Sequence, residues 1–288
     1  MTSGAAPPAR TRIVPVLDGT VHRVDLPGHG TVVLAPGRDY SGVRFTDIDL
    51  DGLTLTDCNF DGAVLDNCRL GGTDMSRSSF NRAVLSGCDL DDPSFFWCAM
   101  EGTQFLGCTS TALRLTHCRI EGAVISGRLD GVRIRNCTFT GTRFTDAAMN
   151  GLTVHFTTFQ DCVMERSWMM ESQFGKVGFG NCVVDRTSLW KTVFFRVTLK
   201  ACTFVSTGFN ESSLISCTWD DTAFHSCRFR LLKDLTGHVT WCTFERCSFE
   251  ETDLTEATFH NCRFLVPSHS MGTRWPDGLE PGTDPMPV

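Results

Sequence analysis

Fifteen cysteines are the residues of this 288-residue chain with the greatest capacity for chemistry, and they stand at 58, 68, 88, 98, 108, 118, 137, 162, 182, 202, 217, 227, 242, 247 and 262. Thiolates at that density can ligate zinc, pair as disulfides or attack as nucleophiles. Each use leaves a mark in the spacing. Zinc needs four ligands converging as a tetrahedron, and an odd total rules out complete pairing. A nucleophile is expected to break whatever pattern the other cysteines keep. Instead, successive cysteines are separated by multiples of five, with a single step of 19 between Cys118 and Cys137. The eight histidines fall in no nucleophile, metal or acid–base motif, and no glycine-rich phosphate loop is present. The expectation is therefore no catalytic residue, no metal and no cofactor: not an enzyme.

The spacing of the cysteines belongs to a larger repeat. Every fifth residue from Phe45 to Ile125 is apolar apart from Ser110, one position is then lost, and the series runs on from Leu129 to Phe264 with Asp234 as its polar exception. Neither a helix of period 3.6 nor a strand of period 2 sustains such a pattern from Phe45 to Phe264. Every cysteine lies two residues before one of these centres, in a column it shares with Ala, Ser and Thr. The other three positions are rich in Asp, Asn, Arg, Gly, Thr and Ser, which suit turns and solvent. Cysteine in this column reads as a small buried hydrophobe.

The stretches CNFDG (58–62), CDLDD (88–92), CTFTG (137–141) and TDLTE (252–256) resemble the pentapeptide repeat family, and the likeness extends over 43–266. The resemblance implies an all-β fold, a right-handed quadrilateral β-helix (a pentapeptide repeat solenoid) with four pentads per coil and about 11 coils. At a strand spacing of ~4.8 Å the rod is roughly 50–55 Å long. Cysteines one coil apart, such as Cys162 and Cys182, would then stack with parallel Cβ vectors, too far apart for a relaxed disulfide and wrongly directed for zinc. Residues 1–42 read as an N-terminal extension or cap with short β-like segments, because an open solenoid end exposes core and strand edges. Residues 267–288 read as a loosely ordered Pro/Gly-rich tail. The register break near 126–128 predicts a tightened corner or kink, and the coil near 230–239 is irregular.

Two outward features remain. Between Arg44 and Glu101, eleven acids face four arginines, so this segment's −7 equals the net charge of the whole chain. The acidic partner-binding surface expected from it comprises Asp47, Asp49, Asp51, Asp57, Asp61, Asp66, Asp89, Asp91, Asp92 and Glu101. An apolar set at nominally outward positions, Phe156, Trp168, Met170, Trp190, Phe195, Ile215 and Leu235, predicts an oligomer or partner interface, with a homodimer as one form of it. Net negative charge predicts a protein partner with a basic surface and no direct nucleic-acid binding. No apolar run is long enough to cross a bilayer, and "MTSGAAPPARTRIVPVLDG" lacks the unbroken apolar core of a signal peptide; a cytoplasmic protein is expected. The family resemblance implies a DNA-mimicking modulator or protector of a type II topoisomerase (DNA gyrase or topoisomerase IV), since members of that kind resemble a duplex in width and charge. The alternative is an interaction scaffold working through the apolar strip. A distant third is an accessory factor or enzyme using His238, Trp241 and His260, which the repeat brings to one side.

Overall fold

The computed structural model describes residues 13–16 and 21–279. Each pentad supplies a short strand of about three residues whose centre points inward, as in Thr138–Thr140, Thr158–Gln160 and Gly178–Gly180. The residue two places after each centre then turns the corner in the left-handed region: Asp57, Phe156, Lys176 and Trp241 have φ of 58, 52, 55 and 56°. Such a conformation costs an L-residue about 1–2 kcal/mol. It is offset because the corner N–H still finds a carbonyl in the next coil, as Lys176 N does at Phe195 O (2.8 Å). Since every side has the same length, equivalent positions of successive coils lie in register: Phe159 pairs with Phe139 below and Phe179 above.

Stacking the coils gives a four-sided parallel solenoid of about 11 turns. Three sides are parallel sheets of 12, 9 and 7 strands. The other is held by isolated bridges such as Trp168–Ser188–Gly208–Arg228. We call the sides first to fourth in chain order, through Phe45, Leu50, Leu55 and Phe60. No helix occurs among the described residues, and so none long and apolar enough to cross a membrane. The core is a set of ring columns at the coil spacing: Phe204, Phe224, Phe244 and Phe264 stack at 5.0, 4.9 and 4.9 Å.

The ends are covered. Val14–Val16, Val21–Leu26 and Gly30–Leu34 form an antiparallel meander whose Val24, Leu26 and Leu34 join the same core. The single tyrosine, Tyr40, packs tilted against Phe60 with ring centres 5.0 Å apart, accepts from Ala35 N (2.8 Å) and donates to Val33 O (3.0 Å). At the other end the tail is packed rather than loose as far as Leu279. Ser268 pairs with Ser248, Arg274 bridges to Asp253, and Trp275 sits edge-on to Phe249 and Phe264. Residues 1–12, 17–20 and 280–288 of the expected extension and tail lie outside the described residues.

Two irregularities shape the wall. Ile125 pairs with Phe105 on one side and Phe144 on the other, so the coil that begins there is one residue shorter than the coil before it. The strand Val124–Leu129 runs straight through the corner. At Gly127, φ is 112° and a Cβ would lie 2.3 Å from Cys108 O, a position only glycine fills without displacement. Near 230–239 the left-handed corner falls at Asp234, which is exposed, and Leu235 fills the core slot instead. This corrects the placing of Leu235 in an outward strip. Burying a bare carboxylate costs several kcal/mol, and a one-residue shift of the alternation avoids it.

Candidate functional site

All 15 cysteines are free and buried. All but Cys58 and Cys242 donate to the carbonyl of a core centre in the coil below: Cys88 to Leu65 O (3.2 Å), Cys118 to Phe95 O (3.2 Å) and Cys262 to Val239 O (3.3 Å). Hydroxyls in the same column do likewise, Thr103 to Phe80 O (2.8 Å) and Ser212 to Leu189 O (2.6 Å). The column thus favours a small donor, where the sequence reading saw only smallness; the free exchange of Cys, Ser and Thr there was the signal. Burial pushes the Cys217 thiol up to about 11, which keeps it protonated and unreactive at neutral pH. Among the described residues no group of three or more His, Cys, Asp or Glu could hold a metal. His238 and His260 do share the fourth side, but each pairs in register with a threonine, Thr258 and Thr240, and His238 Nδ1 lies 2.7 Å from Thr258 Oγ1.

The ten acids of the expected partner surface do not form one stripe. Asp66 ends a first-side strand, Asp47 and Asp57 turn the corners after the first and third sides, and Asp61 and Glu101 lie on the fourth. Only Asp49, Asp51, Asp89, Asp91 and Asp92 gather on the second side, and Arg69 and Arg114 stand against them. Arg69 pairs with Asp49 (3.6 Å) and Asp51, and Arg114 with Asp92 (2.9 Å). Most of the others hold a group one coil away. Asp47 accepts from Asn67 Nδ2 (2.5 Å), Asp61 from Asn81 N (2.9 Å) and Asp66 from Ser86 Oγ (2.5 Å). Asp91 takes Thr111, and Asp57 takes Arg77 through two bonds (2.7 and 2.6 Å). The Arg77 guanidinium holds the Asp57 carboxyl below its ordinary range, whereas burial holds Asp51 above it. These aspartates act first as ties between coils.

The apolar set divides over three edges. Phe156 and Phe195 mark the edge between third and fourth sides and are 48 % and 39 % exposed. Ile215 continues their row half-buried. Met170 and Trp190 lie half-buried on the second side. The Trp190 indole N–H donates to Glu211 (3.1 Å), and Lys191 Nζ stands 4.0 Å over its ring. Trp168, 46 % exposed, begins the other edge of that side, beside a groove of about 430 Å³ shared with Arg186, Ser188, Gly208 and Arg228.

The third side extends further than the sequence reading placed it. Trp97 and His117 stack at 4.3 Å with rings 6° apart, and Phe96 meets both edge-on. Farther along, Arg135, His155, Phe156, Lys176, Val193 and Phe195 line a groove of about 380 Å³. The groove exists because Gly175 interrupts the row between His155 and Phe195; a Cβ there would meet His155 Nδ1 at 2.4 Å. Counting in twenties across the shortened coil misaligns His117 from Asn136, which hid the continuity of this edge.

A model described as "Pentapeptide repeats" matches the chain in eight copies, over residues 41–77, 58–92, 128–166 and 238–264. The pentapeptide repeat protein MfpA of Mycobacterium tuberculosis is 30% identical over 89 residues, 31% of this chain and 46% of its own length; the match thus spans under half of that relative. Among solved structures, HetL, a pentapeptide repeat protein involved in heterocyst differentiation regulation from the cyanobacterium Nostoc, is 13% identical. That alignment covers 83% of this chain and 91% of HetL at a TM-score of 0.34. QnrB1, a plasmid-mediated fluoroquinolone resistance protein, is 16% identical over 82% of this chain and 89% of its own at a TM-score of 0.21. With the repeat matched in eight copies and its centres lining a four-sided coil, the chain is a pentapeptide repeat protein.

Proposed function

We propose that this rod is a non-catalytic binding protein that engages a protein partner through its side wall. The observation that carries the reading is the exposure of Trp97, Phe156 and Phe195 along one edge of a rod whose core is otherwise stacked phenylalanine. Exposed aromatic groups in a row favour association. DNA gyrase, with topoisomerase IV after it, is the candidate partner. That choice rests on the family resemblance, and the acidic coils between Arg44 and Glu101 support a partner with a basic surface.

Mimicry of DNA by those aspartates is the second reading, favoured by the five acids gathered on the second side. It ranks second because Arg69 and Arg114 interrupt the gathering and because most of the remaining acids tie coils together. The test is a supercoiling assay with gyrase from the source organism and purified protein, alone and with a quinolone. A change at micromolar protein is expected; none would remove gyrase as the partner.

A further inference from the structure

The net charge of −7 predicts a basic partner, but the charge is not spread evenly. Seven successive pentads of the third side read PSFFW, LRLTH, VRIRN, LTVHF, SQFGK, TVFFR and SSLIS, from Pro93 to Ser216. They contain Arg114, Arg133, Arg135, Lys176 and Arg196, and no Asp or Glu. The residues outside this face therefore sum to −12, since the whole is −7 and the face is +5.

The cations are also largely unneutralised. Arg114 is claimed by Asp92 at 2.9 Å. Among the described residues, no carboxylate pairs with Arg133, Arg135, Lys176 or Arg196, although Arg69 on the second side and Arg119 on the fourth are paired. Aromatic rings stand beside three of them instead. Lys176 Nζ and Arg135 Cζ lie 5.0 and 5.8 Å from the centre of the Phe156 ring, and Arg196 Cζ lies 5.1 Å from that of Phe195. These contacts leave the outward N–H groups free for an anion. Phe156 itself occupies a left-handed corner, φ 52°, where a bulky ring carries strain and Asn, Asp or Gly would relax it.

We propose that the third side between Phe96 and Ile215 is the docking face for an acidic segment of a partner protein, one whose carboxylates alternate with apolar or aromatic residues. Carboxylates would meet Arg135, Lys176 and Arg196, and apolar side chains would enter the groove between Phe156 and Phe195. A long polyanion fits less well. Glu171 and Glu211 turn the second-side corners that border the face, with Lys191 between them paired to Glu211 at 3.9 Å, and at physiological salt their charge is felt over ~8 Å. A short acidic segment can stay clear of them.

The proposal rests on the reading of the rod as a protein-binding wall, and its test separates the two. Fluorescence anisotropy of a labelled peptide, Glu-Phe-Glu-Glu-Phe-Glu, is measured against the full chain at low salt, beside labelled single-stranded oligo-dT. Saturable peptide binding is expected. It should weaken at least tenfold in the triple variant Arg135→Glu, Lys176→Glu, Arg196→Glu, and less than twofold in the charge-matched control Lys200→Glu, Arg246→Glu, Arg263→Glu. The neutral triple to Gln gives the same answer should the reversals impair folding. Three outcomes overturn the proposal: no saturable peptide binding, equal weakening in triple and control, or tighter third-side-dependent binding of oligo-dT. A chain that alters gyrase supercoiling but fails to bind the peptide overturns the acidic-segment proposal and leaves the protein-binding reading in place.

Discussion

Gly127 is the residue at which the solenoid absorbs its missing position, and alanine there should be far more damaging than alanine at an ordinary corner. At Gly141, φ is 58° and nothing lies within 4 Å of a Cβ. Gly141→Ala therefore incurs only the left-handed penalty of about 1 kcal/mol. At Gly127 the φ of 112° lies outside that well, which adds strain of about 1–3 kcal/mol. The new methyl would also stand 2.3 Å from Cys108 O, 2.7 Å from Cys108 N and 2.9 Å from Gly107 C. All three are backbone atoms that cannot rotate away, so the coil below must shift at a further cost of about 1–3 kcal/mol. The expected total is about 4 kcal/mol, some 3 more than at Gly141, or more than a hundredfold in the unfolding constant. Urea denaturation followed by circular dichroism reads both variants. An asparagine inserted between Ser126 and Gly127 restores a full-length coil and should recover most of the loss in the Gly127→Ala background. Equal stability of the two alanine variants would refute the account of this corner.

Other outcomes follow from the core and its thiols. Phe224→Ala removes a fully buried ring stacked at 5.0 and 4.9 Å and should cost about 3–5 kcal/mol. Phe259→Ala, at a partly exposed site near the end, should cost less, and the same urea series compares them. Thr103→Val deletes the donor to Phe80 O, an expected loss of about 1 kcal/mol. Thr103→Ser should retain it. In native protein a thiol reagent such as DTNB should find no reactive cysteine, and after unfolding it should find all 15. Because burial raises the Cys217 pKa from 9.0 to about 11, the unfolded chain loses its proton first. Stability from that thiol is therefore full below about pH 9 and declines between about pH 9 and 11. Light scattering of Trp190→Asp and Phe195→Asp beside the parent chain tests self-association. A change of species only with Phe195→Asp would place a self-contact on the third side.

The fold could be read from the sequence because a period of five, repeated from Phe45 to Phe264, dictates which atoms face inward regardless of local propensity. The slip after Ile125 was legible for the same reason. Leu235 was not, because the count of fives keeps its phase through 230–239 while the backbone moves one corner to spare Asp234 from burial. The candidate surfaces were only half legible. Composition placed the acids on the outer wall but did not show that Asp57 would be tied to Arg77 and Asp61 to Asn81 one coil on. Outward aromatic residues could be counted, but whether Trp190 is covered by Lys191 and Glu211 depends on rotamers that no column predicts. Trp97 and His117 stand 20 apart, but the step of 19 from His117 to Asn136 across the shortened coil hid that they continue the edge of Phe156.

Whether the aromatic third side or the aspartates form the working surface is decided by gyrase supercoiling with the parent chain, with the double variant Phe156→Asp, Phe195→Asp, and with the double variant Asp89→Asn, Asp91→Asn, each shown by circular dichroism to be folded. The parent should alter supercoiling, the aromatic pair variant should lose the effect and the aspartate pair variant should keep it. Loss in the aspartate variant with the effect retained in the aromatic one would contradict this expectation.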